Sequence, residues 1–359
     1  MGIKNISIIG LGLIGGSIAK ALKLKDESLV INAYDREKVC AAALAEKIID
    51  NSLPHYTSSL DSELIILALP IEESLKVFKE LAPGLKSGCI LTDVCSVKGV
   101  FESLWQELDS RGVYFGGHPM AGKESGGYEN SDPYLFENAV YAVSDKAVNN
   151  PAASGLISII ESLGARVKFL DPYIHDRAAA YISHLPQTVA VSLVNSLPPA
   201  SDNLNFTELA GGGFRDMTRI ASSDFTIWES IYKHNKEEIL ASLEKLQDKL
   251  AEYSGYIKSE EYDKLRNEFL LSSQTRNAIP KNAKGFLRPL YDIFVYAKDE
   301  PGAINGMSTA LYARNINIKD IELLKIREGE GGAFRLGFAS KEEADKAKAA
   351  LKENGFRIT

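Results

Sequence analysis

The chain has 359 residues, a net charge of −7 and a pI near 5.5. That acidity argues against nucleic acid or an anionic membrane as a partner, and no run approaches the ~20 apolar residues that span a bilayer. With 45% hydrophobic and 25% charged residues, the composition is that of a globular protein of two or three domains.

The first 170 residues alternate short apolar runs with helical patterns, as a doubly wound parallel α/β sheet requires. Strands are predicted at 6–9, 30–34, 64–68, 89–93, 113–116, 140–143 and 166–170. Uninterrupted apolar strands such as LIILA fit a sheet covered by helices on both faces. The N-terminus is broken by glycines and lacks a signal-peptide cleavage site. Cys40, Cys89 and Cys95 form no CxxC pair. Together these features predict reduced thiols and a cytoplasmic protein. From 171 to about 275 the periodicity is helical, including the long amphipathic run NKEEILASLEKLQDKLAEYSGYI. A polar stretch at 275–286, with Pro and Gly, reads as a linker. Beyond it, residues 286–359 follow the order β-α-β-β-α with a short last strand, a ferredoxin-like unit. The expected domains are therefore 1–170, 171–275 and 286–359.

The run IIGLGLIGGS places Gly10, Gly12 and Gly15 in G-x-G-x-x-G spacing between a strand and a helix. Such glycines let the backbone turn tightly and approach a pyrophosphate. The helix opening at Leu13 and Ile14 offers free N–H groups and a partial positive charge to the phosphates. Asp35 ends the second strand, twenty residues after Gly15, where a carboxylate accepts ribose hydroxyls and repels a 2′-phosphate. NAD is thus expected over NADP, with Arg36 next door pulling the other way.

A dinucleotide domain followed by helices places the substrate between them. Polar residues on strand ends and loops are the candidates for that place. TDVCSVKG ends one strand with Ser96 and Lys98. The glycine-rich run YFGGHPMAGKESGG ends the next with His118 and Glu124. An imidazole with an ordinary pKa near 6.5 suits a general base at neutral pH. The helical part contributes His175 and Asp176, SHLPQ at 183–187, and GGGFRDMTRIASSDFTIW at 211–228. His55, His175 and His234 read as surface or packing residues. His184 reads as either a helix-kink residue or a ligand, and Trp228 as either core or substrate contact.

HPMAGKESG resembles the HPxAGxExSG loop of the prephenate and arogenate dehydrogenases of tyrosine biosynthesis. TDVCSVK, SHLP and GGGFRDMTRIASSD resemble that family's other signatures, in the same order. DEPGAINGMSTALYARNINIKDIELL resembles an ACT domain, an amino-acid-sensing module found on some members. The resemblance implies an NAD-dependent oxidative decarboxylation of prephenate to 4-hydroxyphenylpyruvate, with no metal. His118 is then the base at the C4 hydroxyl, assisted by Ser96. Arg219 binds the substrate carboxylate and pairs with Asp176. Glu124 lies at the mouth of the site, Trp228 near the ring, and His184 and Gln187 also face the substrate. Gln187 stands where the family often has a second histidine, which leaves prephenate and arogenate both open as substrates. The resemblance further implies a homodimer, held by the helical and ACT domains. L-tyrosine would be an effector bound at Asp299, Pro301, Gly302, Ala303, Asn315 and Ile316. Two rival classes remain. One is a hydroxyacid dehydrogenase, which would need a lysine base, and the helix after residue 171 carries no lysine before Lys233. The other is a non-catalytic NAD and amino-acid sensor, disfavoured by the intact set of Ser96, His118 and Arg219.

Overall fold

The computed structural model describes residues 2–123, 125–199, 206–278, 290–298, 300–327 and 331–358. The chain folds as two compact units, Met1–Arg276 and Asn277–Thr359.

Six strands of the first unit form one parallel sheet: β1 (Asn5–Ile9), β2 (Val30–Tyr34), β3 (Asn51–Ser52), β4 (Leu64–Leu67), β5 (Ile90–Asp93) and β6 (Val113–Tyr114). Their order, β3-β2-β1-β4-β5-β6, is that of a dinucleotide-binding sheet. Helices α1 (Leu13–Lys25), α2 (Glu37–Ala45), α3 (Ile71–Leu81) and α4 (Gly99–Glu107) make the crossovers. The strands are apolar on both faces, and each face has its own core. Ile6, Ile8, Leu64 and Ile66 pack into one core, and Ile9, Ile65 and Leu67 into the other. On α3, Ile71, Ser74, Val77, Phe78 and Leu81 are buried, at the spacing of one helical face.

The structure departs from the predicted single sheet at residue 115. Only Val113 and Tyr114 pair with β5. The chain then leaves to form β7 (Gly117–Pro119), which pairs antiparallel with β8 (Val140–Ser144), itself parallel to β9 (Arg166–Leu170). Glycine permits this exit. A Cβ on Gly117 would lie 2.7 Å from the Asp93 carbonyl oxygen, and one on Gly116 2.9 Å from the Tyr114 hydroxyl. The short β3 was not predicted. Its polar sequence carries no strand signal, and the Asp50 carboxylate just before it accepts the Ile31 N–H at 2.7 Å.

Helix α5 (Ser154–Ser162) precedes β9, and after β9 the first unit becomes helical: α6 (Pro172–Ala179), α7 (Leu185–Asn195), α8 (Gly212–Thr218), α9 (Phe225–His234), α10 (Lys236–Lys258) and α11 (Tyr262–Ala278). The last helix runs into the start of the predicted linker, whose remainder from 279 lies outside the described residues. Between α6 and α7, residues Ala180–His184 form a π-turn, a feature often found at functional sites. Several large apolar side chains of this region are exposed, among them Phe225, Ile227, Leu250 and Phe269.

The second unit contains β10 (Tyr291–Ala297), α12 (Ala303–Tyr312), β11 (Asp320–Arg327), β12 (Gly331–Phe338), α13 (Lys341–Glu353) and β13 (Arg357–Ile358). The strands form an antiparallel sheet in the order β11-β12-β10-β13. One face of this sheet packs Ile293, Val295, Phe334 and Leu336 against Met307, Leu311, Ala347 and Leu351 of the helices. Among the described residues no helix is long and apolar enough to cross a membrane.

Candidate active site

The nucleotide end is made of backbone. Gly10 has φ +98, and a Cβ there would lie 2.5 Å from the Ala68 carbonyl oxygen. A Cβ on Gly15 would fall 1.9 Å from the Gly10 carbonyl oxygen, whereas Gly12 faces open space. Gly10 and Gly15 are thus fixed by the tight turn, and Gly12 leaves room for a ligand against the backbone. Gly12 caps α1 without a side-chain bond, so the N–H groups at Leu13 and Ile14 have no side-chain cap to compete with a phosphate. Asp35 directly follows β2, and its carboxylate accepts the Leu11 N–H at 2.6 Å, which ties it to the glycine turn. It also accepts the Arg36 N–H at 2.6 Å, while the Arg36 side chain is largely exposed. This set of groups fits a dinucleotide with free ribose hydroxyls.

The catalytic end is made of side chains. His118 sits at the centre of β7, half-buried. Its Nδ1 lies 2.9 Å from Nε2 of His175, and Nδ1 of His175 lies 2.8 Å from Oδ1 of Asp176. His175 and Asp176 are both buried, on α6. The Asp176 carboxylate also accepts the N–H groups of Lys98 and Gly99, each at 2.7 Å, and so caps α4 from another segment. A Cβ on Gly99 would meet Asp176 Oδ2 at 3.0 Å, which accounts for glycine at the end of SVKG. The pairing of Asp176 with Arg219 implied by the family resemblance is not seen: Asp176 is buried on these donors, and Arg219 lines a cleft that Asp176 does not reach. Nor is His175 a packing residue, as the sequence suggested. It is the contact between Asp176 and His118.

Beside this chain of bonds lies a buried charge pair. Lys98 donates to Asp93, and Tyr114 donates to the same carboxylate at 2.8 Å. Burial, then His175, Lys98 and His184, hold the His118 pKa well below its ordinary value. Its imidazole is therefore neutral at neutral pH and able to accept a proton. His184, on the π-turn, is lowered to about 4, first by burial. Its Nδ1 lies 3.2 Å from the Asn235 amide nitrogen, its buried Nε2 has no partner, and its ring meets Trp228 edge-on at 6.0 Å. Ser96 stands half-buried on the loop between β5 and α4. Burial pushes the Cys95 thiol up to about 12 and Cys89 to about 11, which leaves both unreactive.

A cleft of about 550 Å³ gathers Arg219, Gln187 and Trp228. Gln187 is buried and donates to the Ile220 carbonyl at 3.0 Å. His118, Ser96, Asp176 and His184 do not line this cleft, and Glu124 lies outside the described residues. The cleft also holds Lys123, which the sequence reading passed over although it stands in the His118 loop. Its ammonium lies 3.0 Å from Asp132.

Residues 18–169 match the family described as prephenate dehydrogenase, nucleotide-binding domain, and residues 171–270 that described as prephenate dehydrogenase, dimerization domain. The chain is 33% identical over 353 residues to the prephenate dehydrogenase of Bacillus subtilis (strain 168), covering 96% of this chain and 95% of that one. The chain belongs to the prephenate dehydrogenase family. It is an NAD-dependent oxidoreductase. The prephenate dehydrogenase of Lactococcus lactis is also 33% identical, over 98% of both chains, so the likeness to these members includes the second unit. Among solved structures, the Aquifex aeolicus prephenate dehydrogenase in complex with hydroxyphenyl propionate and NAD+ is similar at TM-score 0.70 and 29% identity. That match covers 78% of this chain and 99% of the other. The Synechocystis arogenate dehydrogenase is similar at TM-score 0.67 and 28% identity, over 76% of this chain and 99% of the other.

In the second unit a cavity of about 380 Å³ is lined by Lys298, Glu300, Gly302, Ala303, Asn305 and Phe334, among others. Of the predicted effector residues it takes in Gly302 and Ala303 but not Pro301, Asn315 or Ile316, and Asp299 lies outside the described residues. Asn315 has a structural reason to be where it is. Its φ of 55 and the bond from Ile316 N–H to the Leu311 carbonyl at 3.0 Å close the end of α12.

Proposed function

We propose that the enzyme oxidises and decarboxylates prephenate to 4-hydroxyphenylpyruvate, with His118 as the base. The observation that carries this reading is a neutral imidazole in the short strand β7, anchored through His175 to Asp176. The turn of Gly10, Gly12 and Gly15 would hold NAD with its ribose on Asp35, and the nicotinamide bound there would supply the acceptor for the hydride from substrate C4. His118 accepts the proton of the C4 hydroxyl, with Ser96 assisting at the same oxygen. The ring carboxylate leaves as CO2, driven by aromatisation, and His118 returns its proton to the phenolate oxygen. Arg219 binds the side-chain carboxylate, with Lys123 as a second cation in the cleft and Gln187 and Trp228 along its wall. His184 faces the ring end, and Glu124 lies at the mouth of the site.

Arogenate is the second reading. Gln187 cannot become cationic, and a relative of 28% identity is an arogenate dehydrogenase. Steady-state kinetics with prephenate and arogenate, each with NAD and NADP, decide between the two. The expected result is the highest kcat/KM with prephenate and NAD, and turnover of neither substrate would refute the proposal.

The functional segments are 1–170 for NAD, 171–275 for substrate and dimerisation, and 286–359 as an ACT domain. The exposed apolar residues of the helical segment support a homodimer. The open N-terminus of α12 beside the 380 Å³ cavity, with Gly302 at φ +93, supports binding of an amino-acid carboxylate there, L-tyrosine by the family resemblance. A chain ending near residue 285 is expected to keep activity and to lose tyrosine sensitivity. Equal inhibition of the shortened and full chains would place tyrosine at the active site instead.

A further inference from the structure

The bonds that end on His118 also fix where its protons are, and they do so through His175. Three donors converge on the Asp176 carboxylate. Two are the backbone N–H groups of Lys98 and Gly99, which can only donate. The third is His175 Nδ1. A carboxylate accepts and does not donate, so His175 Nδ1 carries a proton. With Nδ1 donating to the carboxylate, Nε2 is the ring nitrogen left to accept, and it lies 2.9 Å from His118 Nδ1. In this arrangement His118 Nδ1 is the donor. The remaining nitrogen of His118, Nε2, keeps its lone pair and has no hydrogen-bond partner among the described residues. An imidazole left to itself favours the opposite tautomer, with the proton on Nε2, so an acceptor on Nδ1 makes a chemical difference. A nearby cation, Lys98, paired with Asp93, also disfavours a proton on both nitrogens of His118.

We propose that His175, held by Asp176, is a positioning residue that sets the tautomer of His118 and keeps the basic lone pair on Nε2. The proposal rests on the reading of His118 as the base. It assigns a role to a side chain that never touches the substrate. It also gives the backbone capping by Asp176 a function, since the two N–H groups fix the carboxylate whose position decides both tautomers.

The direct test is ¹⁵N NMR of the full-length, histidine-labelled enzyme above pH 7, with the His118 signals assigned by their loss in His118→Asn. The expected spectrum shows His118 protonated on Nδ1 and bare on Nε2. Kinetics give a second readout. His175→Phe removes the acceptor, and kcat is expected to fall roughly a hundredfold, with KM and NAD affinity little changed. His175→Gln offers its amide oxygen to His118 Nδ1 and should recover most of that loss, and NAD titration verifies that each variant is folded. A wild-type His118 protonated on Nε2, or equal kcat in the Phe and Gln variants, would overturn the proposal. Activity in His118→Asn would instead remove the base assignment, while the NMR result would still report the tautomer.

Discussion

Gly10, Gly12 and Gly15 sit within six consecutive positions, whereas His118 and His175 meet across 57 residues of chain. The nucleotide end of the site is therefore local and made of backbone. What matters there is where a Cβ is absent, and a side chain such as Asp35 adds preference to a cradle that already exists. At the catalytic end the backbone positions side chains, and the chemistry lies in their hydrogen bonds and charge. The two ends should accordingly respond in opposite ways to side-chain replacement.

The largest contrast is expected in the side-chain-built half. Arg219→Ala should raise KM for prephenate by roughly thirtyfold or more, the equivalent of ~2 kcal/mol or more for a lost charge-assisted carboxylate contact, with a smaller effect on kcat. An unchanged KM would put Arg219 outside the site. In the backbone-built half the comparable loss needs a backbone change. Gly15→Ala brings a methyl to 1.9 Å from the Gly10 carbonyl oxygen, so the turn must shift. Strain of ~1–3 kcal/mol predicts NAD binding weaker by roughly tenfold, read by fluorescence titration. Native affinity in that variant would mean that the turn is not the phosphate cradle.

Asp35→Ser should do less. NAD affinity should drop only modestly, while the preference for NAD over NADP narrows, with Arg36 free to meet a 2′-phosphate. A wild type that prefers NADP would show that the carboxylate does not exclude it. The smallest effect separates the halves by pH, since histidines titrate and glycines do not. His184 is held at about 4 in the folded chain against an ordinary 6.5. Above 6.5 it is neutral in both folded and unfolded states and contributes nothing to pH dependence. Between 6.5 and about 4 the unfolded chain takes up a proton that the folded chain refuses, so stability falls with pH, and below about 4 the loss levels off. His118, also lowered, acts with the same sign. Tm should drop by a few degrees from pH 7 to pH 5, and less so in His184→Gln. An identical slope in that variant would remove His184 from the account.

What was legible in the sequence follows the same division. The glycine spacing and the acid at the end of β2 announced the nucleotide site, because each residue has its partner nearby in the chain. The helical region was legible from periodicity, and β10, α12 and β12 from alternation and turn residues. The break after Tyr114 was not. VYFG reads as one strand, and only the close approach of Gly116 and Gly117 to Tyr114 and Asp93 shows that the glycines serve the exit from the first sheet. His175 reads in the sequence as a surface or packing residue, because its functional partner is 57 residues away in the chain. The pairing of Asp176 with Arg219 rests on the family resemblance alone. The backbone donors at Lys98 and Gly99 carry no side-chain signature, so nothing in the residue types announces that they will occupy the carboxylate.

The central claim is that His118 is the base, and turnover of prephenate with NAD by His118→Asn tests it most directly. Asparagine keeps a polar group of similar reach but cannot accept the hydroxyl proton. The expected kcat is lower by roughly 10²–10⁴, with NAD affinity near that of the wild type because the cradle at Gly10–Gly15 is untouched. Near-native turnover in a variant that binds NAD normally would contradict it.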